Sequence, residues 1–297
     1  MHLLITGGTG FIGGALLQQL LAVGHSAVIY TRQQGHIDTG QLRYVGSLEA
    51  IAADETFDAF INLAGESIAG GRWTAQRKRE LVDSRVETTR ALYELGCRLQ
   101  HPPQILLSAS AIGYYGPQED ERLGESAATH DSFSHRLCLA WEAEARRFES
   151  LGTRVCVLRF GVVLAPQGGA MEQLRKSVMF GVGTWMGNGR QWLSWVHRDD
   201  VIAGMLFLLE HRKLRGEFNF TAPEPVTNRG FCDELRAHRF SLIALPVPGF
   251  VMRLAMGELA DELLLTGQRV VPQRLLEAGF EFRYRTLAEA LPTLLAT

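Results

Sequence analysis

The chain begins with a glycine-rich turn whose spacing suits the binding of a phosphate group. In the sequence TGGTGFIG, Gly7, Gly10 and Gly13 follow the pattern G-x-x-G-x-x-G. The first glycine allows a tight turn, the second lets a pyrophosphate approach the backbone, and the third lets a helix pack on the preceding strand. The run HLLIT (2–6) is typical of a buried strand, and residues 11–23 place leucines at helical spacing. The turn is therefore predicted to bind a dinucleotide, and the alternative is an ordinary glycine turn.

The second predicted strand ends at a residue that distinguishes two dinucleotides. The segment SAVIYTR (26–32) follows the helix and ends at Arg32. Proteins of this type that bind NAD carry an acidic residue near this position for the ribose 2′-hydroxyl, whereas an arginine suits the 2′-phosphate of NADP(H). Arg32 therefore favours NADP(H) as the cofactor, and the alternative is an arginine that is merely solvated at a strand end.

The sequence SASAIGYYG carries the candidate catalytic hydroxyl groups. It places Ser108, Ser110 and Tyr114 at the end of a predicted strand and in the loop that follows. A hydroxyl group at this position could donate a hydrogen bond to a substrate oxygen. The alternative is that the serines cap local backbone and the tyrosine packs the loop. For His197 we predict a structural role and no metal site, because no second ligand stands at a suitable spacing.

The elements that position these residues alternate along the chain. Strand-like runs at 57–65, 103–110 and 154–164 are separated by helix-like stretches at 75–99 and 134–150. This alternation indicates an α/β protein with a Rossmann-type doubly wound parallel sheet, covered by helices on both faces.

The pattern changes after residue 222, where prolines interrupt the chain and helix-like segments follow at about 249–265 and 285–295. We predict an NADP-binding Rossmann-type domain over 1–222 and a smaller C-terminal domain over 223–297. Residues from about 166 to 194 are expected to contribute to the substrate cleft.

The composition limits the classes of partner. The 297 residues carry a formal net charge of −2 with charges of both signs interspersed, which gives no electrostatic footprint for nucleic acid or an anionic membrane. Four cysteines lack C-x-x-C spacing, and no apolar stretch reaches the roughly 18 residues of a membrane helix. We therefore expect a soluble, cytoplasmic protein that acts on a small molecule, with neither a nucleic-acid nor a membrane partner.

Four further motifs follow the glycine turn. They are INLAGE (61–66), LLSASAIGYYG (106–116), LRFGVVL (158–164) and GNGRQWLSWVHRDDV (187–201). In their order the chain resembles the extended short-chain dehydrogenases/reductases. The chain most resembles the atypical "epimerase family protein" subgroup, and GQRVVPQRLLEAGFEF (267–282) is similar to that subgroup's own C-terminal domain.

The resemblance implies a set of cofactor contacts, with Thr31 and Arg32 at the 2′-phosphate and Leu63 and Ala64 on the adenosine side. The implied contacts are Gly7, Gly10, Phe11, Ile12, Gly13, Thr31, Arg32, Leu63, Ala64, Gly65, Glu80, Arg85 and Val163. For Glu80 the alternative is a solvated acid on a polar helix.

The proton relay of the superfamily is missing from this sequence. Catalytic members use Y-x-x-x-K, in which the lysine lowers the pKa of the tyrosine toward the working pH. No tyrosine of this chain is followed four residues later by a lysine. The resemblance places Ser134 and Cys138 at the tyrosine and lysine positions, and Arg85 at the position of a supporting asparagine.

Three functions remain open. The preferred one is an NADP(H)-dependent oxidoreductase that uses another proton donor on an unidentified small molecule. The second is a non-catalytic NADP(H)-binding sensor or scaffold, and the third is a sugar-nucleotide epimerase. By analogy with the superfamily, a homodimer would form through helices that flank the sheet.

Overall fold

A computed structural model describes residues 1–171, 182–238 and 243–296 of the chain. Within these ranges the strands are β1 (His2–Thr6), β2 (Ser26–Tyr30), β3 (Leu42–Val45), β4 (Ala59–Asn62), β5 (Ile105–Ala111), β6 (Arg122–Leu123), β7 (Arg154–Phe160), β8 (Val162–Leu164), β9 (Val182–Met186), β10 (Trp192–Leu193), β11 (Trp195–His197), β12 (Gly216–Phe220), β13 (Val226–Thr227), β14 (Ile243–Val247) and β15 (Arg269–Val270). The helices are α1 (Gly13–Ala22), α2 (Ala75–Arg98), α3 (Phe133–Arg146), α4 (Arg198–Glu210), α5 (Asn228–His238), α6 (Gly249–Met256), α7 (Gln273–Glu277) and α8 (Leu287–Leu294).

A seven-stranded parallel sheet forms the centre of the molecule, in the order β12-β7-β5-β4-β1-β2-β3. Successive side chains of a strand point to opposite faces. In β1, Leu3 and Ile5 pack in one buried cluster with α1 and α4, whereas Leu4 packs in another with α2. Burial on both faces explains the continuous apolar runs of the strands. The predicted Rossmann-type doubly wound sheet is confirmed.

The strand order brings the predicted site residues to one edge of the sheet. β1 pairs with β2 on one side and with β4 on the other, so that Leu3 lies between Ala27 and Ala59. The order of the strands reverses at this point, and ligands of open α/β sheets bind in the crevice outside the carboxyl ends of such strands. The segments that follow β1, β2, β4 and β5 all begin at that edge.

Three elements differ from the sequence-based expectation. β3 was not predicted, because this four-residue edge strand (LRYV) lacks a buried apolar run. The predicted strand 154–164 divides at Gly161, where a Cβ would collide with the carbonyl oxygen of Ser194, and β8 then pairs with β11 instead. The predicted helix 249–265 is also interrupted, because α6 ends at Gly257, whose φ is 62°.

The C-terminal residues pack against the earlier part of the chain at several points. β15 pairs with β6, and α7 packs on β12. A third buried cluster joins Trp195 to Tyr284 and Leu291 of the C-terminal part. The division at residue 222 remains a prediction, and residues 172–181 of the expected cleft segment lie outside the described residues.

The helices of the described segments do not include one that combines the length and the apolar character needed to cross a membrane.

The structure places His197 at the junction of β11 and α4. Its Nδ1 accepts the N–H of Asp199 at 3.1 Å, and its ring lies 4.2 Å from that of Tyr284. Only 1% of the residue is exposed, and this burial lowers the pKa of His197 to about 4. The next acid, Asp200, accepts the N–H groups of Arg283 and Tyr284, and burial raises its pKa to about 6.

We expect His197→Gln to weaken the acid sensitivity of the fold. A base whose pKa is lowered by folding contributes stability that is present above its unfolded pKa and lost as the pH falls through the folded value. In the wild type, His197 should therefore lower the free energy of unfolding by about 3 kcal/mol between pH 7 and pH 4. The variant should lack this contribution. Denaturant titrations at four pH values would measure the difference, and identical pH profiles for wild type and variant would contradict it.

Asp200→Asn is the control, and its effect on the pH dependence of the free energy of unfolding should have the opposite sign. Its raised pKa gives stability at low pH that is lost as the pH rises from its unfolded value of 3.8 to about 6.

Candidate cofactor and active site

The glycine turn is closed by backbone contacts that larger residues do not allow. Gly7 has a φ of 69°, and a Cβ there would lie 2.5 Å from the carbonyl oxygen of Leu63. A Cβ on Gly13 would lie 2.8 Å from the Cα of Gly8 and closer still to the Gly7 carbonyl oxygen. The N–H of Gly10 donates to that same oxygen at 3.0 Å. The turn therefore has the close backbone approach that the phosphate-binding interpretation requires.

Helix α1 begins directly at this turn without a side-chain cap. Its N-cap residue, Ile12, makes no capping hydrogen bond through its side chain. The free N–H groups of a helix start and the positive end of its dipole attract an anion. Beside the turn, Gly168 and Gly169 pack against the ring of Phe11, and the guanidinium of Arg198 lies 5.2 Å from the centre of that ring.

Thr31 and Arg32 follow β2 at the same edge. The side chain of Arg32 is 81% exposed, and its Nη2 lies 3.3 Å from Oε1 of Glu66. Both residues line a shallow cavity of about 460 Å³ together with His36 and Tyr44, whose rings stack at 4.4 Å. An exposed guanidinium beside a cavity is able to pair with a phosphate.

The loop after β4 packs against Arg85 of α2. A Cβ on Gly65 would lie 3.1 Å from the guanidinium carbon of Arg85. Arg85 donates to the carbonyl oxygens of Glu66 at 2.9 Å and Leu81 at 3.0 Å. Burial lowers the pKa of Arg85, while the nearby Cys138 opposes that shift. Leu63 to Gly65 and Arg85 are thus brought together, with the cation held by backbone carbonyl groups.

Two implied contacts lie farther along the site. Glu80 of α2 accepts hydrogen bonds from Gln76 at 3.0 Å and Arg77 at 3.1 Å, and the bond from Arg77 lowers the pKa of Glu80. Val163 lies in β8 opposite Val196, and its carbonyl oxygen is close to Gly169. Both residues therefore border segments that contact the glycine turn or the loop after β4.

The hydroxyl groups of Ser108 and Ser110 are bonded inside the protein. Ser108 is fully buried and accepts the amide N–H of Asn62 at 3.4 Å. Ser110 donates to Oε1 of Glu142 at 2.8 Å. Tyr114 is half-buried, and its ring lies 3.4 Å from the guanidinium carbon of Arg159. The three predicted catalytic residues therefore lie near the end of β5 with different surroundings, and their catalytic role remains a prediction.

A buried ion pair stands behind these residues. Arg159 donates to both carboxylate oxygens of Glu142, at 2.9 and 3.0 Å, and each residue is only 1% exposed. Arg159 also donates to the hydroxyl of Tyr115, which in turn donates to Asn219. Burial raises the pKa of Tyr115 to about 12. Tyr115 is therefore a neutral phenol that stabilises packing at neutral pH.

The position expected for the catalytic tyrosine is engaged by a carboxylate from the C-terminal part. Glu262 accepts the hydroxyl of Ser134 at 2.6 Å, and it also accepts the N–H groups of Ser134 at 2.9 Å and Phe133 at 2.7 Å. It thereby neutralises the start of α3. At the lysine position, burial raises the pKa of Cys138 to about 11, so its thiol is uncharged near neutral pH.

Sequence reasoning missed Glu262 and the role of Asn62. Glu262 is 128 residues away from Ser134 along the chain, and no local pattern links the two. Asn62 is fully buried, accepts the hydroxyl of Thr6 at 2.6 Å and donates to Thr89 at 2.8 Å. A polar residue that ends a buried strand in INLAGE was the available signal for Asn62.

Within residues 1–171, 182–238 and 243–296, the structure contains no group of three or more His, Cys, Asp or Glu side chains that could hold a metal ion.

Comparison with known proteins assigns the family. Residues 3–220 match the model of the "NAD dependent epimerase/dehydratase family", and residues 247–294 match a domain of unknown function, DUF1731. The chain belongs to the NAD dependent epimerase/dehydratase family. An epimerase family protein of Staphylococcus saprophyticus is 38% identical over 99% of both chains, and YfhF of Bacillus subtilis is 36% identical over 100% of this chain and 98% of its own.

Solved structures agree with this family assignment. The human epimerase family protein SDR39U1, crystallised with NADPH, is 32% identical, covers 99% of both chains and gives a TM-score of 0.92. A nucleoside-diphosphate sugar epimerase of Corynebacterium glutamicum is 28% identical, with a TM-score of 0.78 over 99% of this chain and 58% of its own. The resemblance to the epimerase family proteins is confirmed.

Adjacent glycines test the turn of this family member. We expect Gly13→Ala to lower the free energy of unfolding, because the added methyl group collides with the backbone of residues 7 and 8. Gly14→Ala is the matched control, since a Cβ there meets no atom closer than the Gly8 carbonyl oxygen at 3.9 Å. Alanine should stabilise that helix position by about 0.5–1 kcal/mol. Urea denaturation of both variants would measure the contrast, and equal effects would contradict it.

A substitution of Glu262 tests its contact with α3. We expect Glu262→Ala to lower the free energy of unfolding by about 1–2 kcal/mol, because three donors lose their acceptor and the helix start loses a negative charge. Glu258→Ala is a control on a neighbouring surface ion pair with Lys78, where about 0–1 kcal/mol is expected. Equal losses in the two variants would argue against the role of Glu262 at the start of α3.

Proposed function

We propose that the protein binds NADP(H) and acts as an oxidoreductase on a small molecule. The observation that carries the proposal is the glycine turn, closed on the loop after β4, with the exposed Arg32 at the end of the neighbouring strand. The NADPH present in the structure of the human relative supports the choice of cofactor. Membership of a family named for NAD dependence supports dinucleotide binding in general.

The residues at this edge fit the pyrophosphate, the 2′-phosphate and the adenosine side of a dinucleotide. The turn Gly7–Gly13 and the uncapped start of α1 would hold the pyrophosphate. Thr31 and Arg32 would hold the 2′-phosphate, and Leu63 and Ala64 would lie along the adenosine side. When bound, the nicotinamide would supply hydride transfer.

Two groups near this edge are candidates for moving a proton to or from a substrate oxygen. Tyr114 carries a half-buried phenol stacked on the cationic Arg159. Ser134 stands at the position of the usual tyrosine, and its hydroxyl is bonded to the carboxylate of Glu262 at 2.6 Å. Ser134 and Glu262 together can pass a proton from a substrate hydroxyl to the carboxylate. When a carbonyl is reduced, the proton passes in the reverse direction.

A specific observation favours a second function, a non-catalytic NADP(H)-binding sensor or scaffold. Ser108 and Ser110 hold their hydroxyl groups in hydrogen bonds within the protein, and Cys138 replaces the lysine. A sugar-nucleotide epimerase ranks third, because hydride removal from a sugar carbon and hydride return to it both need a proton shuttle, and this chain lacks the usual tyrosine and lysine pair.

Cofactor binding and turnover, measured on one protein sample, separate these functions. We expect NADPH fluorescence titration to show saturable binding, and a panel of carbonyl compounds and quinones to include one that the protein reduces. Ser134→Ala or Tyr114→Phe should then lower kcat by about 10²-fold or more while NADPH binding is kept. Tyr93→Phe, a matched change on α2 at a hydroxyl bonded to Ser150, should leave kcat unchanged.

The outcomes distinguish the proposals. Saturable NADPH binding without turnover across the panel would favour the sensor. An absence of NADPH binding would contradict both functions.

A further inference from the structure

An acidic residue separates two arginines beside the predicted 2′-phosphate position. Glu66 follows β4, and its Oε1 lies 3.3 Å from Nη2 of Arg32, while its Oε2 lies 3.9 Å from Nη1 of Arg77. The three side chains come from the end of β2, the loop after β4 and the first turn of α2. Glu66 is 43% exposed, so its carboxylate is able to move into solvent.

Arg77 is held firmly in a place that disfavours a cation. It lies at the third position of α2, near the positive end of the helix dipole, where positive charge is destabilising. Its side chain is only 19% exposed, and its Nη2 donates to the carbonyl oxygen of Ser67 at 2.7 Å. Its buried Nε makes no hydrogen bond within the described structure. A guanidinium fixed in this way is prepared to bind an anion.

Charge in the cluster is balanced without any ligand. Arg32 and Arg77 are matched by Glu66 and Glu80, the latter bonded to Arg77 at 3.1 Å. A phosphate monoester brings a charge of about −1.5 to −2 at neutral pH. If that phosphate approached Arg32, the nearby carboxylate of Glu66 would repel it and would compete for the same guanidinium group.

We infer that Glu66 and Arg77 set the selectivity between NADP(H) and NAD(H). Arg77 is a second cation for the 2′-phosphate, and Glu66 occupies the two arginines until that phosphate displaces it. When the ribose carries a hydroxyl group instead, the carboxylate remains on the arginines and no repulsion arises. The inference rests on the proposed binding of NADP(H) and assigns two residues that neither the glycine turn nor Arg32 implies.

Binding measurements on single variants test the inference without any need for turnover. Dissociation constants for NADPH and NADH would be measured by fluorescence at low ionic strength. The fragments adenosine 2′,5′-bisphosphate and adenosine 5′-monophosphate, measured by calorimetry, would isolate the contribution of the 2′-phosphate. The variants are Glu66→Gln, Arg77→Gln and Arg32→Gln. Arg79→Gln is the matched control, because Arg79 is an exposed arginine two residues farther along the same helix.

We expect Glu66→Gln to bind NADPH about three- to tenfold more tightly and to leave NADH unchanged, since one repulsive charge is removed. Arg77→Gln should weaken NADPH about tenfold and NADH little, as should Arg32→Gln. The bisphosphate fragment should follow NADPH, and the monophosphate fragment should follow NADH. Arg79→Gln should alter neither.

The contrary results have separate meanings. If wild type binds NADPH but Glu66→Gln leaves the ratio of NADPH to NADH affinity unchanged, the role of Glu66 is wrong. If Arg77→Gln weakens both dinucleotides equally, Arg77 supports the fold and not the phosphate. If wild type binds neither dinucleotide, the proposed function fails and the inference fails with it.

Discussion

The hydrogen bond between the buried hydroxyl of Thr6 and the side-chain oxygen of Asn62, at 2.6 Å, joins the ends of β1 and β4. These are the strands at which the sheet order reverses, and Asn62 extends the connection by donating to Thr89 of α2. Gly7 and Leu63 come next along the two strands, and they approach so closely that a Cβ at residue 7 cannot fit. The glycine turn, the loop after β4 and α2 are therefore held together, and the cofactor contacts proposed for these three segments depend on this connection.

Polar groups around this connection are largely bonded to one another. Glu142 is held by Arg159 and also accepts the hydroxyl of Ser110. Loss of one partner from a buried pair leaves an uncompensated charge, which is strongly destabilising. The hydroxyl-bearing end of β5 thus stabilises the packing of β5, β7 and α3 in addition to any chemistry. This arrangement explains why a serine can be suggestive of catalysis in the sequence and yet have its hydroxyl directed into the protein.

The C-terminal part contributes groups that reach back to the sheet. Glu262 neutralises the start of α3 beside Ser134, the residue that the family resemblance aligns with the usual tyrosine. In return, Glu125 from the first part accepts the backbone N–H groups of Asn219 and Arg274, at 3.0 and 3.2 Å. Carboxylates that accept backbone N–H groups fix the relative position of the two segments because their geometry is directional. The C-terminal part of this family member is therefore hydrogen-bonded directly to the start of α3 and to the segment around Glu125.

The sequence by itself determined the class of fold, the glycine turn, the family and the absence of the tyrosine and lysine pair. These features are local, since strand periodicity, glycine spacing and a four-residue motif are each contained in a short segment. It did not predict β3, whose pairing with β2 supplies the order that its own residues lack. Only the tertiary structure decided that Glu262 binds Ser134 and that Glu66 lies between Arg32 and Arg77. The physical reason is that hydrogen bonds and ion pairs act over a few ångströms in space, while the chain brings their partners together from distant positions that no sequence spacing reveals.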